Sequence, residues 1–115
     1  MTTVTFHSAE DRLDGFTVEG HSGYAQAGND IVCAAISAAV GLVECTVNEV
    51  LGLAAPVKMR QQEGFLSLKL PGGLGNTNEV TCQTLLTGLM VYLESLSEEY
   101  PEHLAVRLDD DDEEA

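Results

Sequence analysis

The sequence predicts an α+β domain: an antiparallel sheet covered by two helices, in the order ββαββαβ. Three observations lead there. Short segments of alternating apolar and polar residues occur in pairs at the start and in the middle of the chain. Two longer segments have apolar residues at helical spacing. Glycine- or proline-bearing stretches separate them.

Thr2–His7 alternates Val4 and Phe6 against Thr3 and Thr5, as a half-buried strand does. After the polar turn Ser8–Arg12, Gly15–Gly20 reads as its antiparallel partner, with Phe16 and Val18 on one face. Residues 20–28 read as a glycine-bearing loop. A helix begins near Asn29 or Asp30, either of which can cap its first turn. From Ile31 to Val43 this helix is apolar almost all round, which predicts central burial. It turns amphipathic toward Glu44, Asn48 and Glu49 and stops by Gly52 and Pro56.

Val57–Gln61 and Phe65–Leu70 read as a second hairpin across Gln62-Glu63-Gly64. Pro71–Asn76 follows, with Gly72, Gly73 and Gly75. The second helix is expected from about Thr77 to Glu99, opened by a capping box of Asn76 and Glu79. Cys82, Leu85, Leu86, Leu89, Leu93 and Leu96 form its buried stripe. Pro101 closes it, and His103–Leu108 is a last strand. One domain over residues 1–108 and an acidic, disordered tail over 109–115 are expected.

Composition narrows function. The net charge is −14, from 19 acids and 5 bases, so nucleic acid is a poor partner and a basic protein a reasonable one. Six consecutive acids, Asp109–Glu114, contribute to this charge. Three widely spaced cysteines make neither a disulfide framework nor a zinc motif. Met1–Phe6 lacks the basic start and apolar run of a signal peptide, and no uncharged apolar stretch reaches the ~18–20 residues of a membrane span. The expectation is a cytoplasmic protein with reduced thiols, without metal or cofactor.

Chemistry concentrates at the first helix. Cys33 falls in its first turn, where backbone N–H groups lack partners and the helix dipole is positive; both favour a thiolate. His21 lies on the loop leading into that helix, long enough to fold its imidazole over the helix start. Position alone leaves Cys33 either a nucleophile or a packing residue. Asp30 is either a helix cap or a carboxylate that orients His21. Cys82 belongs to the apolar stripe, and Cys45 has no reactive setting.

Gly20-His21-Ser22-Gly23-Tyr24-Ala25, followed by Gly28-Asn29-Asp30-Ile31-Val32-Cys33-Ala34-Ala35-Ile36-Ser37, resembles the signature of the bacterial ribosomal-processing cysteine proteases, the Prp family. The likeness includes a His-to-Cys spacing of twelve and extends over roughly residues 2–108. Ser22, often Ala in the family, and Asn29, often charged or longer, depart from it mildly. The resemblance implies a homodimeric endopeptidase. Its substrate would be a bacterial large-subunit ribosomal protein, the twenty-seventh, from which it removes a short N-terminal extension after aromatic residues. It also implies His21 and Cys33 as the catalytic pair. Gly72, Gly73 and Gly75 then suggest a mobile flap over the substrate, against the plainer reading of a connector. The alternative function is a non-catalytic acidic binding protein for a basic ribosomal partner.

Overall fold

A computed structural model describes residues 1–21, 23 and 30–110. Five strands and two helices follow in the expected order: β1 (Thr2–Ala9), β2 (Arg12–Glu19), α1 (Ile31–Cys45), β3 (Val57–Arg60), β4 (Phe65–Lys69), α2 (Asn76–Glu99) and β5 (Leu104–Asp110). A π-helical segment, Thr46–Val50, extends α1, and a 3-10 turn, Gln61–Glu63, joins β3 to β4.

The strands form one sheet in the order β3-β4-β2-β1-β5. The β1–β2, β2–β4 and β3–β4 pairs are antiparallel. β5 runs parallel to β1, so the sheet is mixed rather than wholly antiparallel. The reason is the crossover: α2 carries the chain back along the sheet before β5 enters, as a parallel pairing requires. β5 also reaches Asp110, opposite Ser8, so the first two acids of the run expected as a tail are paired in the sheet. Residues 111–115 lie outside the described residues.

The β1–β2 turn is tight because Glu10 and Asp11 both adopt positive φ, 56° and 62°, the pattern of a primed hairpin turn. Register places Val4, Phe6, Phe16, Val18, Leu66 and Leu68 on one sheet face. Phe6 and Phe16 meet across the pair with ring centroids 5.9 Å apart. Against this face pack Val32, Ile36, Val40 and Val43 of α1 and Cys82, Leu86, Leu89 and Leu93 of α2. The opposite face is polar. It carries Thr5, His7, Thr17 and Ser67, with Lys58, Lys69 and Arg107 in the same rows.

Two local expectations need correction. The second helix has no Asn76 capping box: Gly75 is its N-cap, without a side-chain bond, and Asn76 is its first helical residue. Glu79 pairs instead with Arg12, at 2.5 and 3.1 Å, and Arg12 also donates to the Pro71 carbonyl at 2.9 Å. This clasp ties the start of β2 to the first turn of α2. Nor is α1 buried on every side. By length and composition Ile31–Val50 is apolar enough to cross a bilayer, despite Glu44 and Glu49. Its Val32, Ile36, Val40, Val43 and Val47 stripe packs into the core, while Ile31, Ala34, Ala38, Leu42 and Val50 face outward.

Candidate active site

The sequence at residues 30–34 closes the start of α1 in a defined way. Asp30 is the N-cap, in extended backbone geometry, and its Oδ1 accepts the Cys33 N–H at 2.9 Å. Its carbonyl accepts from Ala34 at 3.0 Å, the first regular helical bond. The first-turn N–H groups are therefore not all free as position suggested; that of Cys33 is taken by the cap. Those of Ile31 and Val32 have no partner among the described residues.

His21 is brought to the same end of the sheet from β2. It is exposed, and its Nε2 lies 3.4 Å from the Gln62 carbonyl. A carbonyl only accepts, so Nε2 carries the hydrogen in this contact and Nδ1 is left to accept a proton. Gly64 makes the approach possible. A Cβ there would stand 2.5 Å from the Gly20 carbonyl oxygen and 3.1 Å from His21 Cε1, and its φ is +63°. Only glycine fits both the conformation and the space.

His21 and Cys33 line one cavity of about 410 Å³ between α1 and the β2-β4-β3 part of the sheet. Ile36, Ser37, Val40 and Glu44 continue the α1 wall; Val57, Met59 and Leu66 face them. Cys33 is partly exposed, Cys45 exposed and Cys82 fully buried, as the apolar stripe implied for the last. Burial pushes the Cys82 thiol pKa up, with Glu79 adding to this and Arg12 opposing it. Among the described residues no three or more His, Cys, Asp or Glu side chains converge as a metal site would need.

The glycine loop is elsewhere. Lys69 and Leu70 leave β4 beside Asp14 and Gly15, near the β1–β2 turn, whereas the cavity opens where β2 ends and β4 begins. Gly72, Gly73 and Gly75 border none of it. A flap over this cavity from the same chain does not fit that placement; the loop connects β4 to α2 at the opposite end of the sheet. The sequence reading missed Gly64 and Gln62, although Gln62-Glu63-Gly64 stood out as a turn. What it lacked was the pairing of β4 with β2, which sets that turn against His21.

A sequence profile of the family described as cysteine protease Prp matches residues 1–105. The chain belongs to the cysteine protease Prp family. A Bacillus subtilis (strain 168) relative, the ribosomal processing cysteine protease Prp, is 26% identical over 107 residues, covering 92% of this chain and 96% of that one. Two crystal structures share the fold. SMU.848 from Streptococcus mutans superposes with a TM-score of 0.81 at 22% identity, covering 96% of this chain and 95% of that one. The S. aureus ribosomal processing protease Prp, in complex with a covalently linked product peptide, gives 0.78 at 24% identity over 95% and 100%. Membership makes the chain a cysteine protease and sets aside the reading of a non-catalytic binding protein.

Proposed function

We propose that this Prp-family protease removes the N-terminal extension of a bacterial large-subunit ribosomal protein, the twenty-seventh, with Cys33 as nucleophile and His21 as base. The observation that carries the residue assignment is that both side chains line one cavity at the start of α1. The name of the Bacillus subtilis relative supports the substrate class.

In the proposed cycle, His21 Nδ1 takes the proton of the Cys33 thiol while Nε2–H stays on the Gln62 carbonyl. The thiolate attacks the scissile carbonyl carbon, and its oxygen becomes an oxyanion. The first-turn amides of Ile31 and Val32 are the donors left to hold it. His21 returns its proton to the leaving amine as the C–N bond breaks, leaving a thioester on Cys33. Water, deprotonated by His21, releases the acyl group and restores the thiol. The Gln62 carbonyl thus orients the imidazole, the task the sequence had offered to Asp30, and Asp30 holds the helix start.

A homodimer belongs to the same proposal. Ile31 and Leu42 on the outward side of α1, and Val50 at the end of the π-helical segment, are 53%, 66% and 73% exposed, an apolar surface that a second copy would cover. Sedimentation of the purified chain tests this: a dimer supports it and a monomer at micromolar concentration contradicts it. For the function, the chain is incubated with the precursor and product masses are read. Loss of the extension is expected; an intact precursor contradicts the substrate assignment.

A further inference from the structure

The cavity that begins at His21 and Cys33 continues well beyond them. Along α1 its wall is built by Cys33, then Ile36 and Ser37, then Val40 and Gly41, and last Glu44. These positions are successive turns of one helix face. From Cys33 to Glu44 the helix rises about 16 Å. An extended peptide advances about 3.3 Å per residue, so roughly five residues fit along that wall. Opposite the middle turns stand Val57, Met59 and Leu66, so the central positions are walled mainly by apolar side chains, with Ser37 the polar one on α1. A carboxylate ends the row.

Glu44 is held in place without being neutralised. Its Oε2 accepts from Asn48 Nδ2 at 3.3 Å. Asn48 is itself fixed by the Ala55 backbone, donating from Nδ2 to the carbonyl at 3.0 Å and accepting the N–H on Oδ1 at 2.7 Å. Among the described residues Arg12 pairs with Glu79 and Arg60 with Glu63, and His7 Nδ1 lies 3.7 Å from Asp109, so none of these bases reaches Glu44. No Lys or Arg lines the cavity. An oriented, half-buried carboxylate at the end of an apolar groove is arranged to meet a cation from outside the chain.

We propose that Glu44 is a specificity-determining residue: it pairs with a Lys or Arg side chain of the substrate about five residues from the scissile bond. The inference rests on the protease reading, with the groove as the path of the substrate.

The test separates binding from cleavage. Synthetic peptides spanning the precursor cleavage site carry one Lys, or one Glu in its place, at about the fifth position on either side of the bond. Affinity is measured by fluorescence anisotropy with the Cys33→Ala protein, alone and combined with Glu44→Gln or Glu44→Lys. At one of the two positions the Lys peptide binds about tenfold more tightly than the Glu peptide, the size expected of one charge-assisted contact in a partly desolvated groove. Glu44→Gln reduces that ratio to near one, and Glu44→Lys inverts it. A ratio that Glu44→Gln leaves unchanged, or no binding of any peptide, overturns the proposal. Cleavage by the parent protein is read in parallel. If the parent cuts these peptides while the ratio ignores Glu44, the inference fails and the protease reading stands. If the parent cuts none but the ratio depends on Glu44, the substrate assignment fails and the cation site stands.

Discussion

Asp30 Oδ1 accepts the backbone N–H of Cys33 at 2.9 Å. The carboxylate three residues before the candidate nucleophile therefore acts on the backbone of that residue. It anchors the first turn of α1 and, through it, the point from which the thiol projects. An amide oxygen can make the same bond, so Asp30→Asn should keep thermal stability within about 0.5 kcal/mol and cleavage within a few-fold, whereas Asp30→Ala should lose about 1 kcal/mol. Thermal denaturation and precursor cleavage, read side by side, check this. A large loss of activity in Asp30→Asn at unchanged stability would return to Asp30 the electrostatic role that a capping bond does not need.

His21→Ala should abolish cleavage and slow iodoacetamide alkylation of Cys33 near neutral pH. The substitution removes both the proton acceptor and the imidazolium that would accompany a thiolate. Alkylation is followed by peptide mass mapping, so that exposed Cys45 is counted apart. Equal Cys33 rates in parent and variant would sever the proposed pair.

Gly64 and Gly73 allow a matched comparison. Both have positive φ, +63° and +68°, so alanine at either costs about 1–2 kcal/mol of backbone strain. Only at Gly64 does the new Cβ meet Gly20 and His21; at Gly73 nothing lies within 4 Å. Gly64→Ala should therefore lose cleavage at least tenfold beyond Gly73→Ala, measured at a temperature where circular dichroism shows both folded. Similar cleavage by the two would mean that the Gly64 contact does not position His21. A selective loss in Gly73→Ala would revive the glycine loop as a substrate element.

Much of this was legible in the chain itself. Local signals worked where one short segment decides the outcome: the alternation of Val4 and Phe6, the leucine stripe with Cys82, and a helix start at Asp30 that puts Cys33 in the first turn. Features decided by distant partners were not readable. β5 pairs parallel to β1 because of how α2 returns the chain, which no periodicity in His103–Leu108 records. Asn76 and Glu79 had the spacing of a capping box, but Arg12, distant in sequence, takes the Glu79 carboxylate. The apolar circumference of α1 suggested central burial, and the structure divides it between a core stripe and an open face. Glycines mislead similarly: composition drew attention to Gly72, Gly73 and Gly75, while strand pairing gives the demanding position to Gly64.

Cys82 supplies a prediction that is independent of catalysis. Its thiol is buried and its pKa raised, so the folded chain keeps it neutral over a range where the unfolded chain begins to ionise. Any stabilisation linked to that proton is complete below the ordinary thiol pKa of about 8.5 and is lost as pH rises through the folded value. Urea denaturation of the parent and Cys82→Ala should show the parent's advantage shrinking above about pH 8.5. A difference constant with pH would mean that the thiol titrates alike in both states.

The most direct measurement is product formation from the ribosomal protein precursor by Cys33→Ala beside the parent and Cys45→Ser, with circular dichroism on all three. Parent and Cys45→Ser should release the shortened protein at similar rates. Cys33→Ala should release none above background while keeping the parent spectrum. Cleavage by a folded Cys33→Ala protein would contradict the account at its centre.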